Sequence, residues 1–379
     1  MKDKLENHCV RQIDTGEDFV GLKVTNEGFK VIFPYGYILP TGTDDSVRTE
    51  ILDLLKTISL TKKYYGNNLG SDPLSDVNKP FMACLTLLDD YFSNGLIKKI
   101  DYRYERDGSG RIDWHRTFKV TPWITKSLGL FFPHVYTKVG LQEEDLLTQI
   151  EARCLNIAYE QIGWLLGKID VPSSLVKDLK PYIPYLTKIL SNTFVDRKKL
   201  LLQSMIEISE NQGSNDLSFS KDFGTNSYFA VWEYMIRKVY GNVDESRFFP
   251  KGYYVMDDGS KYPASDLRPD VVNITKDDVC YIIDAKYYKY GITHNGFDLP
   301  QTSSIQKQFA YEDYAKRIGN FREIKSLFIL PTNRPSLTHV GYCYTSSDDD
   351  RRVGVYILSS NELVRKFLRS EKEEIDSEI

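Results

Sequence analysis

The sequence predicts a mixed α/β protein of two domains, and three observations carry that expectation. The chain has 379 residues, about two domains at roughly 150 residues each, both large enough to bury a core. Its hydrophobic fraction of 41% and charged fraction of 27% are those of a globular protein, which excludes wholesale disorder, collagen and low-complexity fibres. The pattern also changes along the chain. Hairpins and amphipathic helices fill residues 1–210, an α+β half, and from about 223 short apolar strands alternate with helices, as in a central sheet flanked by helices.

In the first half, FVGLKVTNEGFKVIFPYGYIL (19–39) reads as two strands around an Asn-Glu-Gly turn at 26–28. Residues 47–66 and 80–97 read as helices, the second opening at a proline and stopping at Gly95. KKIDYRYER and RIDWHRTFKV alternate apolar and charged residues on either side of DGSG, which predicts a hairpin over 99–121. Over 143–167, Leu146, Ile150, Cys154, Ile157, Ala158, Ile162 and Leu165 recur at three- and four-residue steps, the spacing of an amphipathic helix. Two helices follow at 173–194, bent at Pro184, and at 196–210. NQGSNDLSFSKDFGTNS (211–227) is the expected boundary.

In the second half a helix at 227–241 leads to strands near 251–256, at 270–274 and at 279–288. A helix at 304–318, strands at 325–330 and 354–358, and a helix at 361–369 complete a domain spanning 223–369. Residues 370–379 carry five acids and one lysine, a charge of −4 that equals the net charge of the whole chain. The body, 1–369, is therefore neutral, and the tail is expected to be solvated and disordered. An acidic mean set by an appendage does not exclude a nucleic-acid partner.

The five cysteines stand at least 63 residues apart and the five histidines are equally scattered, so no local zinc-finger pattern exists. An odd cysteine count fits reduced thiols in a cytoplasm. The charged N-terminus does not resemble a signal peptide, and no apolar run approaches the ~18 residues a membrane span needs. A cytoplasmic protein without a membrane partner is expected.

Chemistry concentrates at Arg268-Pro269-Asp270 and Ile282-Ile283-Asp284-Ala285-Lys286. Fourteen residues separate the aspartates, enough for a strand, a turn at 275–278 and a return strand. Asp284 and Lys286, two apart in a strand, share a face, while Val279, Tyr281 and Ile283 bury the other. Two carboxylates on neighbouring strands can hold Mg²⁺, and a lysine beside them can position a water and offset charge developing on a phosphate. The competing reading is an Asp284–Lys286 salt bridge on a solvated sheet face.

This pattern resembles the PD-(D/E)xK nuclease motif, with Pro269-Asp270 and Asp284-Ala285-Lys286 in its positions. In that superfamily a glutamate on an upstream helix often completes the acidic cluster; here it is Glu233, which can instead pair with Arg237 at i+4. A glutamine after the motif implies a role for Gln308, with Gln306 a competitor and a plain helix-surface amide the alternative. Taken in order, FPYGY (33–37), GRIDWHRT (110–117), FGTNS (223–227), VWEYM (231–235), RPDVV (268–272), IIDAKYY (282–288) and KQFAY (307–311) resemble the nuclease subunit of LlaJI-type restriction systems, which is similar to McrC.

The resemblance implies a Mg²⁺-dependent endonuclease acting on double-stranded DNA beside an AAA+ GTPase (McrB-like) ring. Residues 1–210 would dock on the partner and 223–369 would cut. Asp270, Asp284 and Glu233 would hold metal, Lys286 would position the attacking water, and Gln308 would assist. The hairpin at 99–121 interleaves Tyr102, Arg103, Tyr104, Arg106, Arg111, Trp114, His115 and Arg116, a composition suited to a protein or nucleic-acid surface, or simply to one core face and one solvated face. From Lys286 to Lys325 seven basic residues face four acids, a modest excess suited to a phosphate backbone. Double-strand cleavage needs two active sites, so a homodimer is expected. The alternatives are a non-catalytic activator of the GTPase that only holds DNA, and a stand-alone restriction or repair nuclease.

Overall fold

The computed structural model describes residues 4–25, 28–66, 73–74, 78–126, 129–143, 145–167, 170–212 and 222–375. It divides into two units. Met1–Asn78 and Ser220–Ile379 form one, and Lys79–Phe219 forms the other. One joint falls inside the expected boundary at 211–227, of which residues 213–221 lie outside the described residues. The other joint follows NNLGSDPLSDVN (67–78), a stretch rich in Asn, Gly, Ser, Asp and Pro that was not read as a boundary. The first 78 residues thus group with the C-terminal segment, which differs from the division at 210 read from the sequence.

The reason lies in strand pairing. A four-stranded sheet runs in the order Cys9–Arg11, Gly28–Phe33, Val20–Thr25, Phe223–Thr225. Its last pair joins residues about 200 positions apart: Val20 faces Thr225 and Leu22 faces Phe223. At Gly224 an added Cβ would stand 2.2 Å from the Val20 carbonyl, so only glycine permits the approach. The turn expected at 26–28 begins at residues 26 and 27, outside the described residues.

The central sheet has the order Val271–Ile274, Val279–Ala285, Glu323–Thr332, Asp348–Ser359, Thr338–Thr345. Its outer pairs are antiparallel and its two inner pairs parallel. The sheet is thus mixed, as expected. Helix Thr302–Ile318 covers one face. Phe309 packs with Phe328, Leu330, Val355 and Ile357, and Tyr311 and Ala315 pack with Val272, Cys280 and Ile282. Helix Tyr228–Tyr240 lies against strands Val271–Ile274 and Val279–Ala285, where the Trp232 indole N–H donates to the Ile329 carbonyl at 3.3 Å. Strand Val279–Ala285 is therefore buried from Val279 through Asp284. The expected face of polar chemistry is corrected: Asp284 shares its side of the strand with Cys280 and Ile282, which are core. A strand in the middle of a two-sided layer loses the alternation a half-solvated strand shows.

The tail is corrected as well. Lys372 Nζ donates to the Gly241 carbonyl at 2.7 Å, the Glu373 amide donates to the Val239 carbonyl at 2.9 Å, and Ile375 is 2% exposed. Residues 370–375 are docked on the unit; 376–379 lie outside the described residues. Charge-based reading missed the apolar anchor at Ile375.

The other unit is built on helices Lys79–Asn94, Leu146–Leu166, Ile183–Ser191 and Asp196–Asn211. Cys84, Leu88, Cys154, Leu155, Leu202 and Met205 are fully buried there. Pro184 sits in the first turn of its helix and starts it rather than bending it. The hairpin expected over 99–121 is not formed. Strand Lys99–Arg106 pairs with Tyr136–Glu143, and strand Arg111–Ile112 pairs with the same partner on its far side. The alternation then stops because Asp113 caps a helix, Trp114–Val120, by accepting the Arg116 amide at 2.9 Å.

Candidate active site

Asp270 stands at the entrance to strand Val271–Ile274, and Asp284 near the end of its antiparallel neighbour, where Val271 faces Ile283. The pairing brings the two carboxyl groups together. Asp270 Oδ2 accepts the Ala285 amide at 2.8 Å, and when protonated Asp270 donates to Asp284. Burial, followed by the charges of Asp284 and Glu233, pushes the Asp270 carboxyl well above the ordinary carboxylate range, against the Ala285 amide. Two carboxylates this close cannot both ionise without a compensating cation.

Lys286 supplies part of that compensation. Its Nζ lies 2.8 Å from Asp284 Oδ1, so the i+2 ion pair weighed as the alternative does form. It forms in a buried setting rather than on a solvated face, since Asp284 is 6% exposed. Burial pulls the Lys286 ammonium down, but Asp284 and Asp270 outweigh it and hold the pKa above its ordinary value.

Glu233 comes from helix Tyr228–Tyr240 and is bound by Arg237, whose guanidinium donates to Glu233 Oε1 at 3.1 Å. The same guanidinium donates to the Asp270 carbonyl at 3.0 Å and lies 3.2 Å from Glu245 Oε1. Arg237 thus ties the Glu233 helix to the backbone of Asp270, a role that the i+4 spacing alone could not reveal. Burial raises the Glu233 carboxyl, Arg237 opposes it, and Asp284 adds to the rise. Among the described residues no three His, Cys, Asp or Glu side chains are gathered as a metal-holding group. The Asp270–Asp284 pair nonetheless fits a hard divalent cation: its donors are carboxylate oxygens, and one of the two carboxyls is driven to hold a proton in a cation's place.

Gln308 is fully buried on helix Thr302–Ile318, and neither of its amide atoms has a hydrogen-bond partner among the described residues. It is not the surface amide considered above; Gln306 is exposed. One turn later Tyr311 donates to the Arg268 carbonyl at 2.9 Å. Its hydroxyl is raised by burial and then by Asp284 and Asp270, which puts this helix face beside the carboxylate pair.

Glu233, Asp270, Asp284 and Lys286 line one cleft of about 790 Å³, and Gln12, Asp18 and Tyr35 line it with them. These N-terminal residues were not anticipated as part of a site. Their attachment is Tyr287, next to Lys286. Its hydroxyl donates to Gln12 Oε1 at 2.6 Å and accepts the Tyr35 amide at 2.8 Å, and its ring stacks on Tyr35 at 4.8 Å. The available signal was the Gly in FPYGY. Gly36 has φ +72°, and a Cβ there would lie 2.6 Å from the Thr332 backbone nitrogen. The cysteines are not part of this chemistry; burial pushes Cys84 and Cys280 up to about 12.

A family model described as LlaJI restriction endonuclease matches residues 19–341. The type II restriction enzyme BsuMI component YdjA of Bacillus subtilis (strain 168) is 26% identical over 388 residues, covering 93% of this chain and 81% of that protein. Among solved structures, a chain of the assembly of Thermococcus gammatolerans McrB AAA+ hexamers with bound McrC matches with a TM-score of 0.35 and 14% identity, covering 93% of this chain and 82% of that one.

Proposed function

The chain belongs to the LlaJI restriction endonuclease family, and on that premise we propose that it is the Mg²⁺-dependent cutting subunit of a bacterial restriction system, hydrolysing phosphodiesters of double-stranded DNA. The observation that supports this most is the Asp270–Asp284–Lys286 set lining the 790 Å³ cleft, with Asp284 buried and the other two half-buried. Asp270 and Asp284 would hold Mg²⁺, with Glu233 acting directly or through water. When bound, the ion supplies Lewis-acid stabilisation of the phosphate.

The chain's own residues do the rest. The Lys286 ammonium, fixed by Asp284, orients the attacking water and offsets the charge that grows on the phosphate. Glu233, with its raised proton affinity, is suited to accept a proton from that water. Gln308 does not line the cleft, but its buried amide, with no partner among the described residues, is suited to hold a water behind the carboxylate pair. Arg237 and Tyr287 keep the strands carrying these groups in register with their surroundings.

The unit Lys79–Phe219 is the proposed docking module for an AAA+ GTPase ring subunit. Trp114, Phe118, Trp123, Ile124, Leu130 and Phe131 are each about half exposed there, an apolar density that suits a protein interface. Naming of the Bacillus relative as a component supports a multi-subunit enzyme. Two strand cuts call for two active sites, hence two copies of the chain. Cleavage of plasmid DNA with and without partner, GTP and Mg²⁺ tests all of this. Asp284→Ala and Lys286→Ala are each expected to cut at least about 10²–10³-fold more slowly while keeping the wild-type circular dichroism spectrum. Full cleavage by either variant would remove the assignment.

A further inference from the structure

The rim of the catalytic cleft carries an aromatic group that no part of the hydrolysis uses. Phe297 lines the cleft with Asp284 and Lys286, yet it is 97% exposed. A phenylalanine left this bare is unusual, because burying the ring would stabilise the fold. It is also not on a slack loop. The Asn295 side chain accepts the Phe297 amide at 3.1 Å, Thr293 Oγ1 donates to Asp298 Oδ2 at 2.6 Å, and residues 296–298 form a helical turn. The chain spends these bonds on holding an apolar ring out into solvent. Phe229 and Tyr288 line the same cleft, at 53% and 37% exposed, so the rim is aromatic beyond one side chain, and Lys289 adds a cation to it.

We propose that Phe297 is a substrate-positioning wedge that stacks on a base at the cut site, opening the duplex there as the scissile phosphate settles on the Asp284–Lys286 floor. The occupant follows from position. Whatever enters this cleft to meet carboxylates and a lysine passes the ring, and the group a polynucleotide offers to an exposed ring is the face of a base. This inference rests on the reading of the cleft as a DNA-cutting site. Phe297 makes no bond in the chemistry, so its contribution lies in unstacking the DNA.

The test compares Phe297→Ala with wild type, in the assembly that cleaves, on two duplexes of one sequence: one fully paired, one carrying a mismatch at the cut site. On paired DNA the variant is expected to lose about ten- to a hundredfold in cleavage efficiency, the range for removing one base–aromatic stack. On the mismatched duplex, already unstacked, most of that loss is expected to disappear, and Phe297→Trp is expected to retain activity on both. Wild-type cleavage of paired DNA by Phe297→Ala, or an equal loss on both duplexes, overturns the wedge while leaving the active site standing. If wild type cuts neither duplex with Mg²⁺ and partner present, the underlying reading fails and the wedge with it.

Discussion

At Asp270 stability and the proposed activity pull apart. Its folded-state pKa is raised, so its contribution to stability is complete below the ordinary aspartate value of 3.8 and is lost as pH rises through the raised one. As pH rises above that ordinary value the metal-free protein must either hold a proton on this pair or bear two like charges, and both cost stability. Asp270→Asn keeps an acceptor for the Ala285 amide and removes the charge. It is expected to melt at the wild-type temperature near pH 4 but higher at pH 8, roughly 2–4 °C for each kcal/mol regained, while losing cleavage. A lower melting temperature at pH 8 would show that the pair is not strained. This residue was legible in the sequence because Pro269-Asp270 and Asp284-Ala285-Lys286 are local strings. Arg237 was legible only as a helix-surface partner of Glu233, since its bond to the Asp270 carbonyl spans 33 residues.

Among the elements, those with a strong period of their own were read correctly. Helix Leu146–Leu166 and strand Val279–Ala285 fall within a few residues of expectation. Where a side chain competes for the backbone the reading failed, as at Asp113, whose cap turns an alternating segment into a helix. Helix Leu146–Leu166 also buries an acid on its packed face. Glu151 is 1% exposed and accepts the Ile97 amide at 2.7 Å. Burial raises its pKa from 4.5 to about 7 against that amide. Stability from Glu151 is thus present below pH 4.5 and lost as pH rises through about 7. Glu151→Gln is expected to equal wild type in denaturant melts at pH 4.5 and to exceed it by about 1–3 kcal/mol at pH 8. The 33–37 segment gives the opposite case, where the backbone itself is the constraint. Gly36→Ala meets both a positive φ and the Thr332 backbone, so a loss of about 3 kcal/mol is expected in the same melts.

For the whole molecule, what local patterns could not convey is which distant segments pair. FPYGY and IIDAKYY are both legible as strings, but that Tyr35 and Tyr287 stack on each other depends on the folded topology. The unit Lys79–Phe219 is inserted between residues that meet again, since the Asn78 side-chain amide donates to the Asp222 carbonyl at 3.4 Å. Replacing residues 79–219 by a short Gly-Ser linker is therefore expected to leave a cooperatively folding protein. A fragment beginning at residue 223 is expected to stay unfolded, because it lacks the strands that pair with Phe223–Thr225 and the contacts of Gln12 and Tyr35 to Tyr287. Chemical denaturation of both fragments checks this, and a stable 223–379 fragment would restore the simpler two-part division.

The pairing of Val20–Thr25 with Phe223–Thr225 also has a temporal side. On the ribosome the first of these strands emerges about 200 residues before the second, roughly 10–40 s at ordinary elongation rates. Throughout that interval its edge stands open, with Leu22, a fully buried side chain in the finished protein, waiting for cover. The inserted helical unit has time to fold first, while the unit that carries the cleft is still an incomplete template open to pairing with a neighbouring nascent chain. Synthesis therefore delays assembly of the cleft until the insert has been made, and a chain truncated within the insert lacks Glu233, Asp270, Asp284 and Lys286 altogether.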